Sequence, residues 1–196
     1  MDWIKPITLR DRDVILAPLS LDHAANLKEA AADGELWNLW YTSVPHVNDK
    51  ETVIQTRLDM QAAGTMIPFA VQASDGKTVG ITTYFNINEE NRRLEIGYTC
   101  YRSSVQRGPI NTQAKRLLLT HAFETLNCVG VEFRTHFMNH QSRRAIERLG
   151  AKLDGILRSH MIMPDGSLRD TCVYSIIAPE WPTIRTHLDH KAGHRL

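Results

Sequence analysis

An aromatic and acidic segment in the first third of the chain has residue types that suit binding chemistry. Trp37, Trp40 and Tyr41 are closely spaced, and Asp33 and Glu35 lie just before them. Aromatic faces and carboxylates together suit a cationic amine or a peptide N-terminus. The alternative is that the two tryptophans pack into the core.

A second candidate is Glu95, a carboxylate set between two apolar residues. It lies between Leu94 and Ile96 in a stretch that is typical of a β-strand. Alternation places Glu95 on the same face as Gly97, with Leu94, Ile96 and Tyr98 on the opposite face. A carboxylate in this position can act as a general base, or it can be a solvated residue that follows a charged turn.

The cysteines and the C-terminal histidines predict neither a disulfide nor a metal site. Cys100, Cys128 and Cys172 are odd in number, widely spaced and set in apolar stretches, which is typical of reduced thiols. Three histidines between residues 187 and 194 lie near the chain end with a spacing that matches no closed ligand set. We therefore expect no metal.

Length and charge exclude several classes of function. A chain of 196 residues with 42% hydrophobic content suits one domain, residues 1–196. Its 23 basic and 22 acidic residues give a net charge of +1, which offers no overall attraction to nucleic acid or to an anionic membrane. No run of ~20 apolar residues and no signal peptide is present. These features predict a cytoplasmic protein.

The order of the predicted elements indicates a mixed α/β sheet. The predicted strands cover residues 7–10, 14–17, 67–73, 78–86, 93–101, 129–135, 152–163 and 169–177. The predicted helices cover roughly residues 20–33, 48–63, 112–126 and 139–149, with a short one after Pro179. The third helix connects two strands and so makes a βαβ unit.

The most specific motif lies in the fourth predicted helix. Residues 139–151 read N-H-Q-S-R-R-A-I-E-R-L-G-A, which resembles the second conserved segment of GNAT acetyltransferases, N-x-x-S-x-x-A-x-x-x-x-G-[FA]. Residues 94–98 resemble the strand before the pyrophosphate loop of that superfamily. Residues 155–176 resemble the closing hairpin of its RimJ/RimL-like (ribosomal-protein acetyltransferase) branch. An asparagine-capped helix would by itself explain the first motif, but the surrounding order supports the resemblance.

The resemblance implies the GNAT fold. This is a mixed α/β (α+β) fold with a central, mostly antiparallel twisted sheet of about six to seven strands, flanking helices and a βαβ unit that binds the cofactor. It also implies that acetyl-CoA is the cosubstrate. The residues that it assigns to the cofactor are Gln106, Arg107, Gly108, Ile110, Asn111, Thr112, Asn139, Ser142 and Arg143.

The phosphate-binding loop departs from the superfamily pattern. That pattern is [QR]-x-x-G-x-[GA], and the matching residues 106–111 read Q-R-G-P-I-N. Pro109 and Asn111 replace both small residues, and proline has no N–H to donate to phosphate. Arg107, with Arg102 further away, could supply charge-assisted contacts instead. We expect a reshaped loop that still binds CoA, and the alternative is a helix start that does not bind it.

The resemblance also implies roles in catalysis. Glu95 would deprotonate the amine through a water molecule, and Ser142 or Tyr174 would protonate the leaving thiolate. A half-buried core tyrosine is the alternative for Tyr174. The strands holding Glu95 and residues 131–135 should splay apart and expose N–H groups to the thioester carbonyl.

The expected activity is N-acetyl transfer by direct attack in a ternary complex. The acceptor would be a primary amine, on a protein N-terminus or a small molecule, and Trp37, Trp40 and Tyr41 would contact it. The alternative function is a catalytically inactive module that binds CoA or another ligand. The exposed edge of the closing hairpin could pair with a second copy to give a homodimer.

Overall fold

The structure is a computed structural model that describes residues 3–42 and 45–194 of the chain. Its strands are β1 (Leu9–Arg10), β2 (Val14–Pro18), β3 (Met66–Ala73), β4 (Thr78–Asn88), β5 (Arg93–Tyr101), β6 (Gly130–His136), β7 (Lys152–Ile162) and β8 (Leu168–Ile177). Its α-helices are α1 (Ala24–Ala32), α2 (Lys50–Ala62), α3 (Ile110–Thr120), α4 (His140–Glu147) and α5 (Trp181–Lys191). Within the described ranges, no helix is long and apolar enough to cross a membrane.

The strands form one sheet in the order β1-β2-β3-β4-β5-β6-β8-β7. β5 and β6 are parallel and are connected through α3, while the other neighbouring strands are antiparallel. This confirms the predicted mixed sheet and its βαβ unit. The sheet has eight strands rather than the six to seven expected, and the shortest of them, β1, pairs with β2 over two residues only.

Helices cover both faces of the sheet, and the central strands β3 and β4 are buried on both faces over most of their length. On one face, α3 and α5 pack on a large apolar cluster that includes Phe69, Leu94 and Leu118. On the other face, α1 and α2 pack on a smaller cluster that includes Ile54 and Ile81. The second face, with fewer apolar residues, carries the polar groups of the candidate site.

The third helix begins earlier and ends differently than predicted. α3 begins at Ile110 because Pro109, with φ −71°, already has a helical backbone and occupies the cap position. The predicted end at Leu126 is reached through a π-helical turn, His121–Thr125, that directly follows α3.

Candidate active site

The parallel strands β5 and β6 separate at Glu95. Their pairing comprises Arg93 with Gly130, Leu94 with Val131 and Glu95 with Glu132. β5 continues to Tyr101 and β6 to His136 without further pairing between them. The predicted splay is therefore confirmed, and it leaves backbone groups of both strands free to face a ligand at this opening.

Glu95 lies at the start of the opening and is buried, with 3% of its surface exposed. Its Oε2 accepts a hydrogen bond from Asn86 Nδ2 at 2.9 Å, and Arg134 Nε is 3.6 Å from the same oxygen. Burial raises the pKa of Glu95 to about 7, although the bond from Asn86 and the charge of Arg134 oppose the rise. A carboxyl group with this pKa can take up and release a proton near neutral pH.

Glu95 faces a small cavity of about 220 Å³. The residues that line it are Asn86, Asn88, Arg93, Leu94, Glu95, Glu132 and Arg134. Glu132 differs from Glu95 because it is held by two cations, accepting hydrogen bonds from Arg93 Nη2 at 3.1 Å and from Arg134 Nη2 at 3.0 Å. Of the two carboxylates, Glu95 is therefore the better candidate for a base.

Tyr98 lies on the Glu95 face, which corrects the prediction from strand alternation. The β4–β5 register shifts between Ile81 and Thr83, and Tyr98 takes a positive φ of 47°. This irregularity turns the Tyr98 ring toward Phe85, with the ring centroids 4.8 Å apart. Simple alternation fails here because a bulge inserts an extra residue and reverses the side-chain direction. The ring is half-exposed beside the opening.

His136, at the end of β6, is a candidate that the sequence analysis missed. By alternation it shares a face with Glu132 and Arg134. Only 5% of its surface is exposed, and burial lowers its pKa. Its Nδ1 accepts a hydrogen bond from the Met138 N–H at 3.0 Å, so the neutral ring carries its proton on Nε2. Among the described residues, Nε2 has no partner. In the sequence, a single histidine just beyond a predicted strand does not indicate a functional residue.

Two of the predicted acceptor residues, Trp40 and Tyr41, lie beside this face, and Trp40 contacts His136 directly. Trp40 is 55% exposed and its ring lies 5.2 Å from that of His136. Tyr41 packs against Trp40 at 5.6 Å. Trp37 instead packs edge-on against His46 at 5.1 Å, further along the loop.

The two acidic residues of the predicted amine-binding wall already have partners within the fold. Asp33 accepts hydrogen bonds from Arg102 Nε at 3.2 Å and from Ser104 Oγ at 2.7 Å, so its charge is already compensated. Glu35 accepts from Asn38 Nδ2 at 3.0 Å. The pairing of Arg102 with Asp33 also removes Arg102 as a free partner for phosphate. The sequence did not predict these contacts, because Asp33 and Arg102 are far apart in the chain and come from different elements.

The loop before α3 has donors that fit a pyrophosphate. Within the described chain, no hydrogen bond is made by the N–H groups of Ile110, Asn111 and Thr112 in the first turn of α3, as is usual at a helix start. Arg107 is exposed and takes a positive φ of 65°. Gly108 is closely packed, because an added Cβ would lie 3.2 Å from the Val105 carbonyl oxygen. Pro109 removes one N–H, and three remain in the following turn.

The loop is held against α4 by Gln106. Gln106 Nε2 donates to the Tyr101 carbonyl at 3.1 Å, and Gln141 Nε2 donates to Gln106 Oε1 at 3.3 Å. Asn139 caps α4, since its Oδ1 accepts from the Ser142 N–H at 3.0 Å. Ser142 itself is half-buried in the first turn.

Tyr174 lies in a closed network behind α4. Its hydroxyl donates to Glu147 Oε1 at 2.7 Å and accepts from Arg143 Nε at 3.1 Å. Arg143 also donates to the Phe137 carbonyl at 3.2 Å and lies over the Phe137 ring at 4.6 Å. These contacts give Tyr174 and Arg143 structural partners within the fold.

Comparisons with known proteins agree with this geometry. Residues 13–152 match the family described as Acetyltransferase (GNAT) domain. The chain is 34% identical over 107 residues to the "Putative ribosomal N-acetyltransferase YdaF" of Bacillus subtilis (strain 168), a match that covers 55% of this chain and 57% of that protein. The chain thus spans somewhat more than half the length of that relative.

Two solved structures share the whole fold. A GCN5-related N-acetyltransferase from Brucella melitensis superposes with a TM-score of 0.85 at 27% identity, covering 95% of this chain and 86% of that one. RimJ of Mycobacterium smegmatis, in complex with CoA-disulfide, has a TM-score of 0.82 at 24% identity, covering 96% of each chain. Since the family match extends over most of the sequence, the chain belongs to the GNAT acetyltransferase family.

Proposed function

We propose that this protein transfers an acetyl group from acetyl-CoA directly to a primary amine. The observation that carries the proposal is Glu95, a buried carboxyl group with a pKa of about 7 at the point where β5 and β6 separate. A base with a pKa near the working pH is present in its active form and still accepts a proton readily.

Each requirement of direct acyl transfer has a candidate group among the residues described above. Glu95 accepts the amine proton, directly or through one water molecule. The backbone N–H groups of the separated strands stabilise the negative charge that develops on the thioester carbonyl oxygen. Ser142, in the first turn of α4, supplies a proton to the leaving thiolate. The N–H groups of Ile110 to Thr112, together with Arg107, bind the CoA pyrophosphate.

For the acceptor, the proposal is a protein or peptide N-terminus, presented beside Trp40 and Tyr41. Trp40 is exposed next to His136, and a flat aromatic surface at the mouth of the opening suits an extended peptide. The name of the Bacillus subtilis relative supports a ribosomal protein as one such acceptor. A small-molecule amine is the competing acceptor class.

The proposal extends to a homodimer formed through the closing hairpin. β7 is the last strand of the sheet, and its Leu153, Met161 and Ile162 are exposed. An apolar strand at an open edge favours pairing with a second copy. Sedimentation of the wild-type protein and of an Ile162→Lys variant would test this, because a monomer–dimer equilibrium through β7 should shift toward monomer in the variant.

The test of the function combines binding and turnover. Calorimetry with acetyl-CoA should show micromolar affinity, and a panel of peptides and small amines should reveal acetyl transfer that consumes acetyl-CoA. Binding without turnover for any amine would favour the inactive CoA-binding module instead. No binding at millimolar acetyl-CoA would contradict the transferase assignment.

A further inference from the structure

Arg57 of α2 is a buried cation that pairs with no carboxylate of the described residues. Only 9% of its surface is exposed, and its Nη1 has no hydrogen-bond partner in the described parts of the chain. Its guanidinium carbon lies 5.3 Å from the centroid of the Tyr98 ring. Burial lowers the pKa of Arg57, as expected for a charge removed from water without an opposite charge beside it.

Lys50 adds a second buried cation on the same side of α2. It precedes Arg57 by two helical turns, so both side chains point toward the sheet. Lys50 Nζ donates to the Pro45 carbonyl at 2.8 Å, and no ion pair joins it to a carboxylate of the described residues. The Cys100 thiol is within electrostatic range of both cations. Two unpaired buried charges are unfavourable for folding, which points to an anion that arrives from outside.

Tyr98 connects Arg57 with the Glu95 face. Its ring lies 4.8 Å from that of Phe85, and Phe85 is the partner of Glu95 in the β4–β5 register. Arg57, which lies over the Tyr98 ring, is therefore on the face where the amine must be deprotonated.

We propose that Arg57 and Lys50 form an anion-binding subsite that recognises a carboxylate or phosphate group carried by the acceptor. This rests on the proposed function and refines its substrate: an amine with an acidic group close to the reacting nitrogen, such as a peptide with an acidic side chain near its N-terminus. Guanidinium groups bind such anions through paired hydrogen bonds, and Arg57 Nη1 is available as a donor.

The test uses acceptors that differ only in charge. Peptides with Asp or Asn at the second position, the same peptides with Glu or Gln there, and a phosphoserine peptide with its serine counterpart form matched pairs. The anionic member should have a kcat/KM about tenfold higher or more, because a charge-assisted hydrogen bond is worth at least about 1.5 kcal/mol. The Asp and phosphoserine pairs together distinguish a carboxylate from a phosphate.

The variant Arg57→Gln should reduce the preference to less than about threefold by raising KM for the anionic peptides, with kcat nearly unchanged. Its melting temperature should stay equal or rise, since a buried unpaired charge is removed. Lys50→Gln should show the same pattern more weakly and serves as a second variant. Arg10→Gln, an exposed arginine on β1, is the matched control and should change nothing.

Several results would overturn the subsite. Equal kcat/KM for charged and neutral members in the wild type would do so while leaving the transferase function intact. A weaker affinity for CoA in Arg57→Gln, with an unchanged KM for the acceptor, would assign the cations to the CoA phosphates. Acetyl-CoA binding without turnover of any peptide or small amine would contradict the proposed function, and the subsite with it.

Discussion

The two ends of the candidate site differ in how their polar groups are satisfied. Around Tyr174, the hydroxyl, the Arg143 guanidinium and the Glu147 carboxylate bond to one another. On the Glu95 face, Arg57 Nη1 and His136 Nε2 have no partner among the described residues.

This difference separates structural polar groups from functional ones. Leaving a buried donor unpaired costs about 1–3 kcal/mol, so an unpaired donor on the face of a candidate base is a candidate for binding a ligand. The closed network around Tyr174 holds α4 on the sheet. The unpaired donors of Arg57 and His136 lie on the same face of the sheet as the protonatable Glu95, and a substrate on this face can pair with them.

The largest expected effect comes from removing the base. Glu95→Gln should lower kcat by about 10²- to 10³-fold, because the amide keeps the shape but cannot accept a proton. Acetyl-CoA affinity measured by calorimetry should stay within about twofold, since the side chain lies on the acceptor side of the opening.

The neighbouring carboxylate provides the control for this variant. Glu132→Gln alters the same cavity but removes a carboxylate that is held by Arg93 and Arg134. Its loss of kcat should be at least tenfold smaller, on the order of the effect of a positioning residue. Equal losses of kcat in the two variants would contradict the proposal that Glu95 is the base.

Glu95 should also make stability depend on pH. Its pKa rises from 4.5 to about 7 on folding, so the folded protein holds this proton more tightly than the unfolded chain does. The associated stability is present below pH ~4.5 and is lost as the pH rises through ~7, a change of up to about 3 kcal/mol. Urea unfolding should therefore show that Glu95→Gln gains stability relative to the wild type between pH 5 and pH 8. A difference in the free energy of unfolding that stays constant over this range would contradict the raised pKa of Glu95.

His136→Asn should have an intermediate effect. Asparagine can still accept the hydrogen bond from the Met138 N–H, but it does not place a donor where Nε2 lies. We expect a drop in kcat/KM of about tenfold with little change in melting temperature, because the lost donor has no partner in the free protein. His190→Asn, on the exposed side of α5, is the control.

Tyr174→Phe should affect stability more than activity. The change deletes the hydroxyl shared by Arg143 and Glu147, at a cost of about 1–2 kcal/mol in the free energy of unfolding. If Ser142 is the acid, kcat should stay within about twofold. A loss of a hundredfold or more in kcat would instead make Tyr174 catalytic.

The smallest expected effect is in the cofactor loop. Pro109→Ala restores an N–H at a residue whose backbone is already helical. Since the following N–H groups remain available, the Kd for CoA should change by less than about threefold. A tenfold tighter Kd would show that Pro109 weakens binding substantially.

Sequence patterns predicted the elements well where periodicity was strong. The strand holding Glu95 and the helix that begins after Asn139 follow from local patterns, and the GNAT resemblance implied the separation of β5 from β6. Local patterns did not predict the bulge that turns Tyr98 or the pairing of Asp33 with Arg102, because both depend on contacts between distant elements. The sequence did not indicate that Arg57 is buried either, because a charged residue in a polar helix is usually exposed.

The pH dependence of kcat/KM tests the central claim most directly. With an acceptor whose amine does not titrate over the range, the wild-type rate should rise with a single ionisation near pH 7, set by Glu95. The residual rate of Glu95→Gln should lack that ionisation. A wild-type profile that is flat from pH 5.5 to 8.5, or an unchanged ionisation in Glu95→Gln, would show that Glu95 is not the base.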